Sequence, residues 1–111
     1  MTVLSRNHIH DELEALVQEI ETRYEKARNG YQFDFKTEIE PFLNKNKTLA
    51  ASVNSFQTDA RFTPESREKV YDELMELLMS CHVSRFSLKL YREKMKYIKV
   101  WIDHAYKESL I

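Results

Sequence analysis

Residues 9–27 read IHDELEALVQEIETRYEKA, and Ile9, Leu13, Leu16, Ile20, Tyr24 and Ala27 recur in it at spacings of 4, 3, 4, 4 and 3. A helix turning every 3.6 residues gathers residues so spaced on one face, whereas a strand would need strict alternation. The stretch is therefore predicted as an amphipathic helix over roughly residues 3–29, with its charged residues turned to water. Asn29 and Gly30 end it, since glycine just past a helix takes the left-handed conformation at no steric cost and lets the last carbonyls be capped.

Outward from this stretch the same period repeats. Past Tyr31, Gln32 and Phe33, Asp34 is placed to cap a second helix whose apolar face runs Phe35, Ile39, Phe42, Leu43, Leu49, Ala50, Val53, Phe56 and Ala60. Pro41 interrupts it by removing a hydrogen-bond donor and crowding the preceding turn. The face keeps its phase across the proline, so one helix kinked at Pro41 and running to about residue 60 is expected. Arg61 and Phe62 form the next connection. Thr63 and Pro64 open a third helix, a hydroxyl cap followed by a residue with no amide to satisfy. Val70, Leu74, Leu77, Leu78 and Cys81 are its buried stripe, with Met75 and Met79 as fillers. A last face reads Tyr91, Met95, Ile98, Trp101, Ile102 and Ala105, with Trp101 expected in the core. Residues 82–92 carry no glycine or proline, and a turn between Ser84 and Arg92 completes four helices of similar length. The fold expected is all-α: a single domain spanning 1–111, an antiparallel up-down four-helix bundle.

Composition excludes more than it assigns. The 111 residues include one glycine and two prolines. A β domain needs many turn residues with positive φ, and a phosphate cradle needs several glycines for close backbone approach. Cys81 is the only cysteine, so no internal disulfide and no thiolate zinc site can form, and a reducing compartment is indicated. No apolar run approaches the ~20 residues of a membrane span; a cytoplasmic protein with no membrane partner is expected. No cofactor is implied.

The run Arg23, Tyr24, Gly30, Tyr31, Phe33, Asp34, Phe35, Ile39 and Pro41 resembles the YppE-like family of small uncharacterised proteins from Gram-positive bacteria. The resemblance covers about a quarter of the chain and implies a four-helix bundle without an assigned activity or catalytic residues. Lys36 stands where a further aromatic residue is expected in that family, and the last helix departs from its pattern.

Three groups of residues bear on function. Tyr31, Phe33 and Asp34 lie in the first connection; the aromatic pair either plugs the end of the core or forms a surface for a protein partner. Arg85, Lys89, Arg92, Lys94, Lys96 and Lys99 meet only Glu93, an excess of five positive charges over residues 85–99. Residues 11–25 carry the opposite balance, Asp11, Glu12, Glu14, Glu19, Glu21 and Glu25 against Arg23, and Glu65, Glu68, Asp72, Glu73 and Glu76 outnumber Arg67 and Lys69 in the third helix. Internal neutralisation between neighbouring helices accounts for this pattern. A nucleic-acid stripe of Arg85, Lys89, Arg92, Lys96 and Lys99, with Tyr91 and Tyr97 to stack on bases, is the alternative, although the formal net charge of −1 argues against it.

The third group is titratable. His8 with Glu12 and His10 with Glu14 sit four apart, and read as a solvated helix start rather than a metal site; no di-iron Glu-x-x-His pair is present. Cys81 reads as a small buried hydrophobe, with Arg85 the one candidate to activate it. His82 and His104 are isolated in sequence. No catalytic signature emerges. A non-enzymatic, protein-binding bundle, monomeric or weakly homodimeric, is the leading expectation.

Overall fold

The apolar stripes read for the first, third and fourth helices fold as helices, and that of the second does so only in part. The computed structural model describes residues 6–111, with side chains from residue 8 onward. Four α-helices, α1 (Arg6–Arg28), α2 (Glu40–Ala51), α3 (Pro64–Ser80) and α4 (Leu88–Lys107), are joined by a π turn over Phe35–Ile39 and a 3-10 turn over Ser52–Ser55; there is no strand among the described residues. Of the predicted first helix, residues 3–5 lie outside the described residues.

Leu13, Leu16, Ile20, Tyr24 and Ala27 are buried along α1. Gly30 sits at φ +102°. Its N–H donates to the Ala27 carbonyl at 3.1 Å, and that of Tyr31 reaches back to Lys26 at 2.9 Å, the paired bonds of a Schellman cap. A second cap of this kind closes α4. There Ser109 holds φ 58°, and the N–H groups of Ser109 and Leu110 return to Tyr106 and Ala105 at 3.2 and 2.8 Å. At the other helix ends the hydroxyls of Thr63 and Ser87 accept from the N–H groups of Ser66 and Leu90, at 3.1 and 3.2 Å.

α4 packs against α1 and α3, and α2 against the same two helices. Tyr24 stacks on Tyr91 with ring centroids 4.0 Å apart, and His10 stacks on Tyr106 at 3.9 Å. Between them they bury a core whose largest enclosed side chains include Phe62, Leu13, Ile20, Leu74, Leu77, Leu78 and Ile98. At roughly 1.5–3 kcal/mol for each large apolar side chain, this burial is the main favourable term of the fold.

Several expectations are corrected. The second helix stops at Ala51 instead of residue 60. Ser52, Asn54 and Ser55 follow, residues whose side chains compete for backbone bonds, and the Ser52 hydroxyl already donates to the Leu49 carbonyl at 2.5 Å. Val53 and Phe56 keep the helical phase and are buried, which is why the pattern ran on, but Ala60 is exposed. The connection is pinned instead by Asp59, whose Oδ1 accepts from the N–H groups of Arg61 and Phe62 at 2.9 and 2.6 Å. Phe62, read as a loop residue, is only 1% exposed. It holds Trp101 at 5.2 Å between centroids, and Trp101 is half-buried rather than enclosed. Phe35 is 47% exposed, and so is not part of the buried face; Met79 is also exposed. The turn between α3 and α4 begins at Cys81, before the expected Ser84–Arg92 window, and ends within that window at the Ser87 cap.

Candidate functional site

The connection between α1 and α2 is short, aromatic and thoroughly bonded. Once the Schellman cap has turned the chain, the Tyr31 hydroxyl donates to Glu38 Oε2 at 2.6 Å, and Glu38 Oε1 accepts from the Asp34 N–H at 2.9 Å. Asp34 returns the bond: its Oδ2 accepts from the Thr37 N–H at 2.9 Å and the Thr37 hydroxyl at 2.8 Å. This is a reciprocal cap in which each acid satisfies an orphan donor of the helix start. The bond from the Thr37 amide holds the Asp34 carboxyl below its usual range. The Asp34 amide does the same for Glu38, and the bond to Glu38 raises the Tyr31 phenol. Lys26 places its ammonium 4.6 Å from the centre of the Tyr31 ring. Phe33 meets Tyr31 edge-on at 4.6 Å. In this fixed frame Tyr31 is 43% exposed. The aromatic pair therefore does not plug the core: Phe33 is half-buried and Tyr31 faces water.

Beneath Phe33 lies a polar hub that no spacing in the sequence reveals. Arg23 of α1 donates through one guanidinium nitrogen to His82 Nε2 at 2.8 Å and to the Glu38 carbonyl at 3.3 Å, and through Nε to Glu19 at 3.2 Å. Its guanidinium lies 4.1 Å from the centre of the Phe42 ring. His82 is 7% exposed, with Phe33 and Phe42 edge-on at 4.8 and 5.3 Å. An arginine only donates, so His82 Nε2 accepts, and the proton belongs on Nδ1, which faces the Met79 carbonyl at 3.3 Å. Burial lowers the pKa of His82, and the neighbouring Arg23 adds to this. Cys81 is fully buried, and burial pushes its thiol up to about 12. The cation nearest it in effect is Arg23, not Arg85, which is exposed. A thiol so enclosed packs as a small hydrophobe. The only forewarning in the sequence was the adjacency of Cys81 and His82; the arginine meets them through the fold alone.

The basic helix divides in two. Lys94 reaches Glu73 at 3.1 Å and Glu76 at 3.0 Å on α3, and Lys99 reaches Glu21 on α1 at 2.7 Å. Burial alone would lower the pKa of Lys94; its bonds to Glu76 and Glu73 outweigh that and raise it. Arg85, Lys89, Arg92 and Lys96 are exposed. Tyr91 is buried against Tyr24, and Tyr97 is half-buried with Lys69 over its ring at 4.7 Å.

Near the start of α1, His8 lies 3.4 Å from Glu12 and His10 lies 3.9 Å from Glu14. Among the described residues no group of three or more His, Cys, Asp or Glu is arranged to hold a metal ion. His104, isolated in sequence, pairs with Asp59 at 2.9 Å. The amide of Phe62 and the His104 bond depress the Asp59 carboxyl, and the pair ties the α2–α3 connection to α4. Among the described residues no helix is long and apolar enough to cross a membrane.

The fold has a solved counterpart. The crystal structure of protein yppE from Bacillus subtilis superposes with a TM-score of 0.76, covering 97% of this chain and 94% of that one at 18% sequence identity. No curated protein matches the chain. The bacterial domain of unknown function DUF1798 matches residues 10–104, a stretch that takes in the aromatic connection, the Arg23–His82 hub and the basic stripe. With most of its length inside that match and the yppE fold throughout, the chain belongs to the YppE-like bacterial family of unknown function, DUF1798.

Proposed function

We propose that this chain is a non-enzymatic, cytoplasmic protein-binding domain whose partner docks on the aromatic connection between α1 and α2. The observation that carries this reading is the pairing of exposure with rigidity: Tyr31 and Phe35 are 43% and 47% exposed on a segment fixed by the Asp34–Thr37 and Glu38–Asp34 bonds. Large aromatics are favoured at interface centres, and a patch already held in one conformation loses little entropy on binding. A mobile loop with the same residues would pay that cost on binding. The one thiol is enclosed and its pKa is raised, which speaks against thiol catalysis at Cys81.

The same reading takes the helices as an antiparallel up-down bundle bent at Pro41. In its favour, residues 10, 21 and 24 of α1 meet 106, 99 and 91 of α4 in reverse order, and 69 and 73 of α3 meet 97 and 94 in the same sense. The π turn before Pro41 is a recognised site of helix bending.

Nucleic-acid binding through α4 is the weaker reading. Lys94 and Lys99 are engaged with acids, and neither Tyr91 nor Tyr97 presents a free face for a base. The experiment is quantitative affinity capture from an extract of the source bacterium, with the wild-type chain beside a Tyr31→Ala, Phe35→Ala double variant. One protein recovered in stoichiometric amount by the first and lost with the second supports the proposal. Co-purifying RNA with no such protein rejects it.

A further inference from the structure

The seam between α1 and α4 opens on the surface as a groove, away from the aromatic connection. One wall is mainly acidic: Glu14, Glu21 and Glu25 line it from α1 beside the neutral Gln18, with the basic Arg28 at the end beyond Glu25. The other wall is basic: Arg92, Lys96 and Lys99 line it from α4, above a floor of Tyr91 and Met95 and beside Val100, which is 51% exposed. Only Lys99 and Glu21 close across the gap, at 2.7 Å. Arg92, Lys96 and Glu25 are exposed, with no ion pair among the described residues.

A surface divided lengthwise into an acidic and a basic strip is complementary to itself under one symmetry operation. Rotation by 180° about an axis lying along the seam, in the plane of the face, lays the α4 of one copy over the α1 of the other. Each copy's level along the seam is preserved. Arg92 shares its level with Glu25, because both border the same part of the groove around Tyr91 and Glu21; it therefore meets the partner copy's acidic strip there, and Lys96 meets it near Glu21. An axis across the seam would instead set acid on acid and base on base. Nucleic acid is a poor occupant, since its phosphates would meet the acidic wall. At the far end Glu14 and Asp103 are both acids, so contact centres on the half that carries Arg92, Lys96 and Glu25.

From this charge pattern we infer that the α1–α4 face is an isologous homodimer interface, with a second copy of this chain as its occupant. It holds little exposed apolar area beyond Val100, so association is weak and salt-sensitive.

Sedimentation velocity of the full chain over a concentration series, at about 50 mM and about 500 mM salt, reads this directly. Two variants fix the geometry: Arg92→Glu with Lys96→Glu, and Gln18→Lys with Glu25→Lys. None of these four side chains has a bonding role in the fold described above, and circular dichroism checks that each variant folds. The wild type is expected to dimerise at low salt and weaken at least about tenfold at high salt. Each variant alone is expected to be monomeric, because its strips then repel. Their equimolar mixture is expected to form a heterodimer, since both contacts are again between opposite charges. A wild type that stays monomeric throughout, or variants that dimerise as the wild type does, or a mixture that fails to associate, overturns the inference.

Discussion

Arg23 donates to Nε2 of His82 at 2.8 Å, joining the last quarter of α1 to the turn after α3 across 59 residues of chain. The bond needs a neutral imidazole, and burial favours the same state. The folded pKa of His82 is thus below its unfolded value of about 6.5, so the unfolded chain binds the proton first as the pH falls. Stability from this site is present above about pH 6.5 and is lost as the pH falls from there towards the folded pKa. Urea unfolding between pH 7.5 and 5 is expected to show this loss, and His82→Gln, which keeps an acceptor for Arg23, is expected to reduce it. Histidine proton resonances in a pH titration should include one that titrates below 6.5. A His82 that titrates at or above that value would place a charged imidazole beside Arg23, contrary to the geometry.

The two Schellman caps make opposite predictions. Gly30→Ala puts a side chain on a residue at φ +102° with nothing within 4 Å to hinder it, so the cost is backbone strain alone, about 1 kcal/mol. Ser109 pays that kind of strain already at φ 58°. Ser109→Gly is therefore expected to stabilise, or to be neutral within the greater unfolded-state freedom of glycine. Thermal melts of both variants beside the wild type check the pair, and a stabilising Gly30→Ala would contradict the cap assignment.

Phe62 and Trp101 pack ring against ring at 5.2 Å, tilted by 31°, but their burial differs. Phe62→Ala should cost about 3 to 5 kcal/mol, the usual range for an enclosed aromatic, which is a large share of a small domain's total stability. Trp101→Ala, at a half-buried position, should cost clearly less. Denaturant unfolding of the two variants decides the order, and the reverse order would mean that the α2–α3 connection does not pack as described.

These differences show where the sequence was legible. The stripes of α1, α3 and α4 were readable because each is a long run of one period, and Gly30, Asp34, Thr63 and Pro64 mark ends by local chemistry that acts within a few residues. The end of α2 was not, because Val53 and Phe56 stay in helical phase while the backbone has already left the helix. Phe62 and Trp101 exchanged roles because burial in a connection depends on what folds over it, here α4. The Arg23–His82 and Asp59–His104 pairs join residues 59 and 45 positions apart, a separation about which periodicity is silent. The opposed charges of α4 and its neighbours were legible, and Lys94 and Lys99 pair with α3 and α1.

Nucleic acid should bind feebly if the charge of α4 is spent within the molecule and on a second copy. Fluorescence anisotropy with single-stranded and duplex oligonucleotides at about 50 mM salt is expected to show no dissociation constant tighter than about 10⁻⁵ M. Micromolar binding lost at about 200 mM salt, and abolished by Lys94→Glu with Lys96→Glu, would make α4 the functional surface.

Crosslinking inside living cells tests the proposed function most directly. A photoreactive amino acid replaces Phe35 in one version of the chain and Asp72, an exposed residue of α3, in another; the adducts are identified by mass spectrometry. The account predicts one protein, different from this chain, captured from position 35 and not from position 72, and no longer captured when Tyr31→Ala is added. Equal capture from both positions, or capture of nothing but the chain itself from position 35, would contradict a partner surface at the aromatic connection.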